Sequence, residues 1–187
     1  MKKLFVVLVA IALVASFASA QDNWGQGKMS IGVGALVSLP MGDFGDQAGT
    51  GFGGSGTFEY CISPDLLLTA QIGYIGYGKK DIAGIGSYTF SQMPFLAGVK
   101  YNLSGAYVTG QIGFVSTSVT VDIPAQTYYG YTIPGSSGST SESDFAFAPG
   151  VGYAFGPIDV AAKYMIVSAT GSSEGAIVFD IQYVFGL

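Results

Sequence analysis

A two-residue rhythm of apolar and polar positions recurs along this chain and closes it. In the last stretch Ile177, Phe179, Ile181, Tyr183, Phe185 and Leu187 are apolar, with Asp180, Gln182 and Gly186 among the residues between them. Successive strand residues point to opposite faces, so this spacing predicts a strand with one greasy face. Eight such strands are predicted, over 28–39, 51–61, 66–77, 88–101, 106–119, 144–155, 158–167 and 175–187. The greasy register runs through Ile31, Val33, Phe52, Phe58, Leu68, Ile72, Phe95, Val99, Ile112, Phe114, Phe147, Val151, Val160 and Tyr164. The opposite register is small or polar, with Ser55, Thr57, Glu59, Thr69, Gln71, Lys100, Gln111, Asp159, Lys163 and many glycines.

The connections alternate in length. Ile62–Asp65, Asn102–Gly105 and Gly156-Pro157 read as tight turns, while Pro40–Thr50, Gly78–Ser87, Thr120–Ser143 and Ser168–Glu174 read as longer loops. An even number of antiparallel strands brings both ends of the chain to the short-turn side. Tyr60, Tyr101, Tyr153, Phe155, Tyr183 and Phe185 gather there, as an interfacial aromatic girdle would.

Composition turns the greasy face outward. Charged residues make up only 10% of the chain, and 29 residues are Gly. Beyond residue 20 no apolar run is long enough for a membrane-spanning helix. Only helices and closed barrels satisfy their backbone polar groups in lipid, which leaves a barrel. Interior charges are tolerable in a barrel and costly on its lipid face. A soluble lipocalin-like barrel, with the greasy register inward around a ligand, is the weaker reading. It would crowd the girdle aromatics into one end of the cavity.

The N-terminus reads as a secretory signal: Lys2 and Lys3, an apolar stretch from Leu4 to Phe17, then Ala18-Ser19-Ala20. Cleavage is expected after Ala20, which leaves residues 21–187 as the barrel domain. Gln21 follows where a lipoprotein would have Cys. Loss of the two lysines takes the net charge from −5 to −7. All seven basic residues are Lys and there is no His, so a nucleic-acid partner is not expected. Cys61 is alone, which excludes an intrachain disulfide and a thiolate metal cluster.

Several short stretches carry a family resemblance: Leu39-Pro40-Met41-Gly42-Asp43-Phe44-Gly45-Asp46, Gly51-Phe52-Gly53-Gly54, and Phe58-Glu59-Tyr60 ahead of Ile62-Ser63-Pro64. In these the chain resembles small eight-stranded outer-membrane barrels of the OmpA/OmpX type. It is especially similar to the outer membrane protein beta-barrel domain family. The resemblance implies an all-β, antiparallel, up-and-down transmembrane barrel in the bacterial outer membrane. It implies lipid as the surround, insertion by the barrel assembly machinery, and a monomer. Such barrels usually end on an aromatic residue; this chain ends on Leu187, with Phe185 two residues earlier.

The candidate interior polar network is Glu59, Lys100, Asp159, Lys163 and Asp180. Glu59, Lys100 and Asp159 belong near the short-turn end and the other two higher. In a hairpin centred near Gly171, Lys163 and Asp180 become neighbours. Such charges serve either a gate in a narrow conduit or a paired plug. An eight-stranded barrel is just wide enough for its own side chains, which favours the plug. Without His no Ser–His device exists, and Asp122, Glu142, Asp144 and Glu174 show no converging spacing. No enzyme activity and no cofactor are expected.

Gly51–Gly56 lacks the Lys of a phosphate loop, and Gly42–Asp46 lacks the ligand count of a calcium loop. Asn102-Leu103-Ser104 reads as part of a turn rather than a glycosylation site. The longest predicted loop offers Tyr128, Tyr129 and Tyr131 beside a Gly/Ser-rich run, a mixture suited to adhesion. Its plainer reading is a strand extension without a partner. The functional expectation is a non-enzymatic barrel acting in envelope structure or surface interaction through its outer loops. The alternative is a narrow porin-like channel for small solutes.

Overall fold

The computed structural model describes residues 25–82, 86–128, 131–169 and 172–187. The predicted signal segment lies outside them. Eight long strands follow one another: β1 (Met29–Met41), β2 (Gly51–Ser63), β3 (Leu66–Tyr77), β4 (Gly86–Leu103), β5 (Ala106–Ile123), β6 (Ser136–Phe155), β7 (Ile158–Ala169) and β8 (Ser172–Gly186). Each pairs antiparallel with its sequence neighbour, and β1 pairs with β8 to close the ring. The closing register sets Ile31 opposite Phe185 and Val33 opposite Tyr183, both on the outer face. The fold is an all-β, up-and-down barrel.

The tight turns lie where expected. Ser104 and Gly105 both have positive φ, 63° and 102°, the signature of the type I′ turn that matches hairpin twist. The Asn102 side chain accepts the Gly105 N–H at 3.0 Å, so the apparent glycosylation motif is turn chemistry.

The long connections differ from expectation. Residues 40–50 hold a short helix, α1 (Asp43–Gln47), and residues 78–87 hold a three-residue strand, Lys80–Ile82, on the edge of β4. The expected loop 120–143 is mostly strand: β5 continues to Ile123 and β6 begins at Ser136. The reason is local. Thr117, Val119, Thr120, Val121 and Ile123 are β-branched, and 136–143 contains no proline to break the ladder. At its tip Gln126–Tyr128 pairs with Tyr131–Ile133. The expected loop 168–174 shrinks likewise, with β7 reaching Ala169 and β8 starting at Ser172.

The greasy register faces outward. Phe52, Phe114 and Phe155 are each 60% or more exposed, and Ile72, Val151 and Ile181 stand beside them. So large an apolar surface on a folded chain demands a hydrophobic surround. The inner register is not uniformly polar, which corrects the sequence reading. Toward the long-loop end Leu36, Ile75, Leu96, Val115, Met165, Val167 and Val178 are buried inside the ring. The strands there are apolar on both faces, as in Ala176-Ile177-Val178-Phe179, because they separate lipid from an apolar core.

Candidate functional site: the barrel interior and outer rim

The five charges singled out in the sequence all point inward and form two clusters. In the lower one, the Lys100 ammonium lies 2.5 Å from Glu59 Oε1 and 2.9 Å from Asp159 Oδ2. Ser30 Oγ donates to the other Glu59 oxygen at 3.2 Å, and the Tyr107 hydroxyl donates to Asp159. The ammonium also sits 4.7 Å from the Tyr107 ring centre, a cation–π distance.

The second cluster lies higher. Lys163 Nζ donates to Asp180 Oδ2 at 3.1 Å, Gln71 Oε1 at 2.7 Å and Gln111 Oε1 at 3.2 Å. Asp180 also accepts from Gln71 Nε2 at 2.6 Å, Gln182 Nε2 at 2.8 Å and Ser55 Oγ at 3.1 Å. Lys163 and Asp180 are nearly opposite across the β7–β8 hairpin, where Lys163 faces Val178 and Asp180 faces Ala161. Small inner residues make room for these long side chains. A Cβ on Gly152 would overlap the Tyr107 ring, and one on Gly32 would overlap the Gln182 amide. Gln182 Oε1 is buried with no donor.

Tyr107 escaped the sequence reading although it shares its parity with Thr109 and Gln111. Ser30 escaped it as well. The apolar upper layer was signalled by the loss of alternation near 164–167 and 176–179.

Above that layer the outer mouth is capped. Phe44 of α1 is buried, with its ring centre 5.3 Å from that of Tyr77 and 6.0 Å from that of Phe90, both edge-on. Tyr77 hydroxyl donates to Gln92 Oε1 at 2.5 Å and shares a hydrogen bond with Ser38 at 3.1 Å. Lys80 Nζ and the Tyr88 hydroxyl hold the carbonyls of Asp46 and Gln47, at 2.5 and 3.1 Å. One interior cavity of about 10 Å³ lies between the two charge clusters, and another of about 20 Å³ borders the apolar layer above them. A single water needs roughly 10–15 Å³ of such space, so neither makes a passage. An open hollow of about 710 Å³ lies outside, between Lys79, Asp81, Ser87, Asp122 and Ser137.

Asp43 and Asp46 fall within α1. Among the described residues no group of three His, Cys, Asp or Glu side chains is placed to hold a metal ion. Cys61 is buried, its thiol donating to Ser63 O at 3.0 Å. Of the three candidate tyrosines, Tyr128 pairs with Tyr131 through the backbone of the small hairpin, and Tyr129 lies outside the described residues. Asp144 and Glu174 stand above the lipid-facing belt. Burial, and then the charge of Asp144, push the Glu174 carboxyl above its ordinary pKa.

The closed ring, the outward apolar belt and the short and long ends agree with one family. The model of the "Outer membrane protein beta-barrel domain" matches residues 5–185. The chain belongs to that family. It is therefore a barrel of the bacterial outer membrane, with its lipid as surround. No curated protein matches it significantly in sequence. Among solved structures, it is similar to the attachment invasion locus protein Ail of Yersinia pestis in complex with the heparin analogue sucrose octasulfate. That likeness is at 15% identity, over 86% of this chain and 100% of that one, with a TM-score of 0.61. Ail alone matches at 16% identity over the same shares, with a TM-score of 0.57. OprG from Pseudomonas aeruginosa matches at 13% identity over 89% and 99%, with a TM-score of 0.50. At these identities the likeness shows the fold alone.

Proposed function

We propose that this family member is a closed, non-enzymatic scaffold that serves the envelope by presenting its extracellular sheet. After removal of the leader through Ala20, residues 21–187 would be inserted by the barrel assembly machinery and work as a monomer. The observation that carries the reading is the filled interior. Apolar side chains and the α1 cap lie above the charge clusters, Leu67 and Val184 are buried near the short-turn end, and the two interior cavities described each admit a single water at most. Both lysines are tied to carboxylates rather than held free to conduct.

The test is conductance of the refolded barrel in a planar bilayer. A silent membrane at physiological salt is the expected result. Reproducible unit openings, altered in size or frequency by Lys163→Ala or Asp180→Ala, would establish the narrow channel instead.

A further inference from the structure

The charges inside the ring do not balance. Glu59, Asp159 and Asp180 face two cations, Lys100 and Lys163, and among the described residues no other lysine is buried. All six carboxylate oxygens accept hydrogen bonds, as ionised groups require. Those of Glu59 accept from Lys100 and Ser30, and those of Asp159 from Lys100 and Tyr107. Those of Asp180 accept from Ser55, Gln71, Gln182 and Lys163. With all five groups charged, the belt carries one net negative charge. A buried charge is costly unless a partner compensates it.

The cavity of about 10 Å³ between the clusters is placed to hold that partner. Asp159 from the lower cluster and Asp180 from the upper one both line it, together with Thr57, Thr109 and Gln182. Gln182 supplies an independent sign. Its Nε2 is spent on Ser55, Thr57 and Asp180, while its Oε1 is buried with no donor. That oxygen stands in the space beside Gly32, the residue paired with Thr57. An acceptor without a donor, next to an excess negative charge, calls for a cation. The two ammoniums are turned to their own partners. Lys163 donates to Asp180, Gln71 and Gln111, and Lys100 to Glu59 and Asp159.

We infer that this cavity binds one monovalent cation of sodium size, held by Asp159, Asp180, Thr57, Thr109 and Gln182. Hard oxygen ligands suit such an ion. One positive charge brings the belt to neutrality, and a divalent ion would overshoot. A water needs roughly 10–15 Å³, so the cavity favours an ion smaller than water. The bound ion joins the two clusters into one network. The site goes beyond the scaffold reading and does not depend on it.

The test is a urea titration of the full barrel, refolded in lipid vesicles at constant ionic strength, with sodium chloride replaced stepwise by choline chloride. Above the dissociation constant, each tenfold rise in sodium should raise the folding equilibrium constant about tenfold. Potassium, as large as a water molecule, should need at least about tenfold more for the same effect. Thr57→Val removes one oxygen ligand and Asp180→Asn removes the excess charge, so both should lose most of the sodium dependence. The folded parent gives a second readout. Amide signals of Thr57, Thr109 and Gln182 should differ between sodium and choline, and those of α1 should not. A midpoint indifferent to the cation, with unchanged amide signals, overturns the inference in favour of an ordered water. A midpoint that follows pH and ignores sodium overturns it in favour of a bound proton. Undiminished sodium dependence in both variants places the ion elsewhere and overturns it too.

Discussion

Replacing each interior lysine by Met separates the two charge clusters energetically. Lys163 and Asp180 side chains are 8% and 3% exposed, so Lys163→Met leaves a buried carboxylate without its cation. Breaking a buried pair in this way typically costs about 3–5 kcal/mol. The structure bounds the figure from both sides. Asp180 keeps its hydrogen bonds from Gln71, Gln182 and Ser55, which soften the loss. The change also leaves Gln71 Oε1 and Gln111 Oε1 without the Lys163 donor, which adds to it. Lys100 stands between two carboxylates, so Lys100→Met orphans Glu59 and Asp159 together. Two buried carboxylates then lose their shared cation, where Lys163→Met leaves one without it. Lys100→Met should therefore be the more damaging change. Urea titration in lipid vesicles, with folded and unfolded barrels separated by gel mobility, reads both effects. A neutral Lys163→Met, or a Lys100→Met no worse than Lys163→Met, refutes the reasoning.

Three further outcomes follow from the outer rim. Phe44→Ala removes the ring packed between Tyr77 and Phe90; it should speed amide exchange in 43–49 yet leave the barrel's urea midpoint nearly unchanged, because α1 is a cap and no strand passes through it. Deleting Val121–Gly138 and joining Thr120 to Ser139 by Asn-Gly closes β5 and β6 at an existing cross-strand pair; the shortened protein should still show the heat-dependent gel shift of a folded barrel. Glu174 holds its proton more tightly in the folded rim than in the unfolded chain. Folding therefore gains stability as pH falls through its titration and loses it as pH rises, so Glu174→Gln should raise the urea midpoint at pH 7 and have no effect at pH 4.

Strand number, order and outward face were legible in the sequence, because lipid enforces alternation wherever the inner face is polar. Glu59, Lys100, Asp159, Lys163 and Asp180 stood out for the same reason: each interrupts an apolar neighbourhood at the inner parity. The limits of legibility follow from the same rule. Where the core itself is apolar, as at Met165, Val167 and Val178, both faces are greasy and the period of two disappears. Above the membrane neither face needs grease, so Thr120–Ile123 and Ser136–Ser143 read as loop although their backbones pair without a break. Phe44 resembled any loop aromatic, since its burial depends on Tyr77 and Phe90, which lie far away in sequence.

The buried charges also answer a question that lipid-facing alternation leaves open. A one-residue slip between strands would turn every side chain to the wrong face, but a two-residue slip preserves both faces. Here β7 could slide against β8 without cost to its greasy register, except that Lys163 would leave acceptors contributed by three different strands, Gln71 of β3, Gln111 of β5 and Asp180 of β8. A register specified from three directions is a better account of the network than stability alone, since apolar replacement of a buried ion pair is often neutral. The double variant Lys163→Met, Asp180→Leu separates the two roles. It should fold with a urea midpoint near that of the parent while its amide spectrum shows more than one signal for residues of β7 and β8. A single sharp set of signals from that variant would show that the lipid-facing pattern and the turns fix the register unaided.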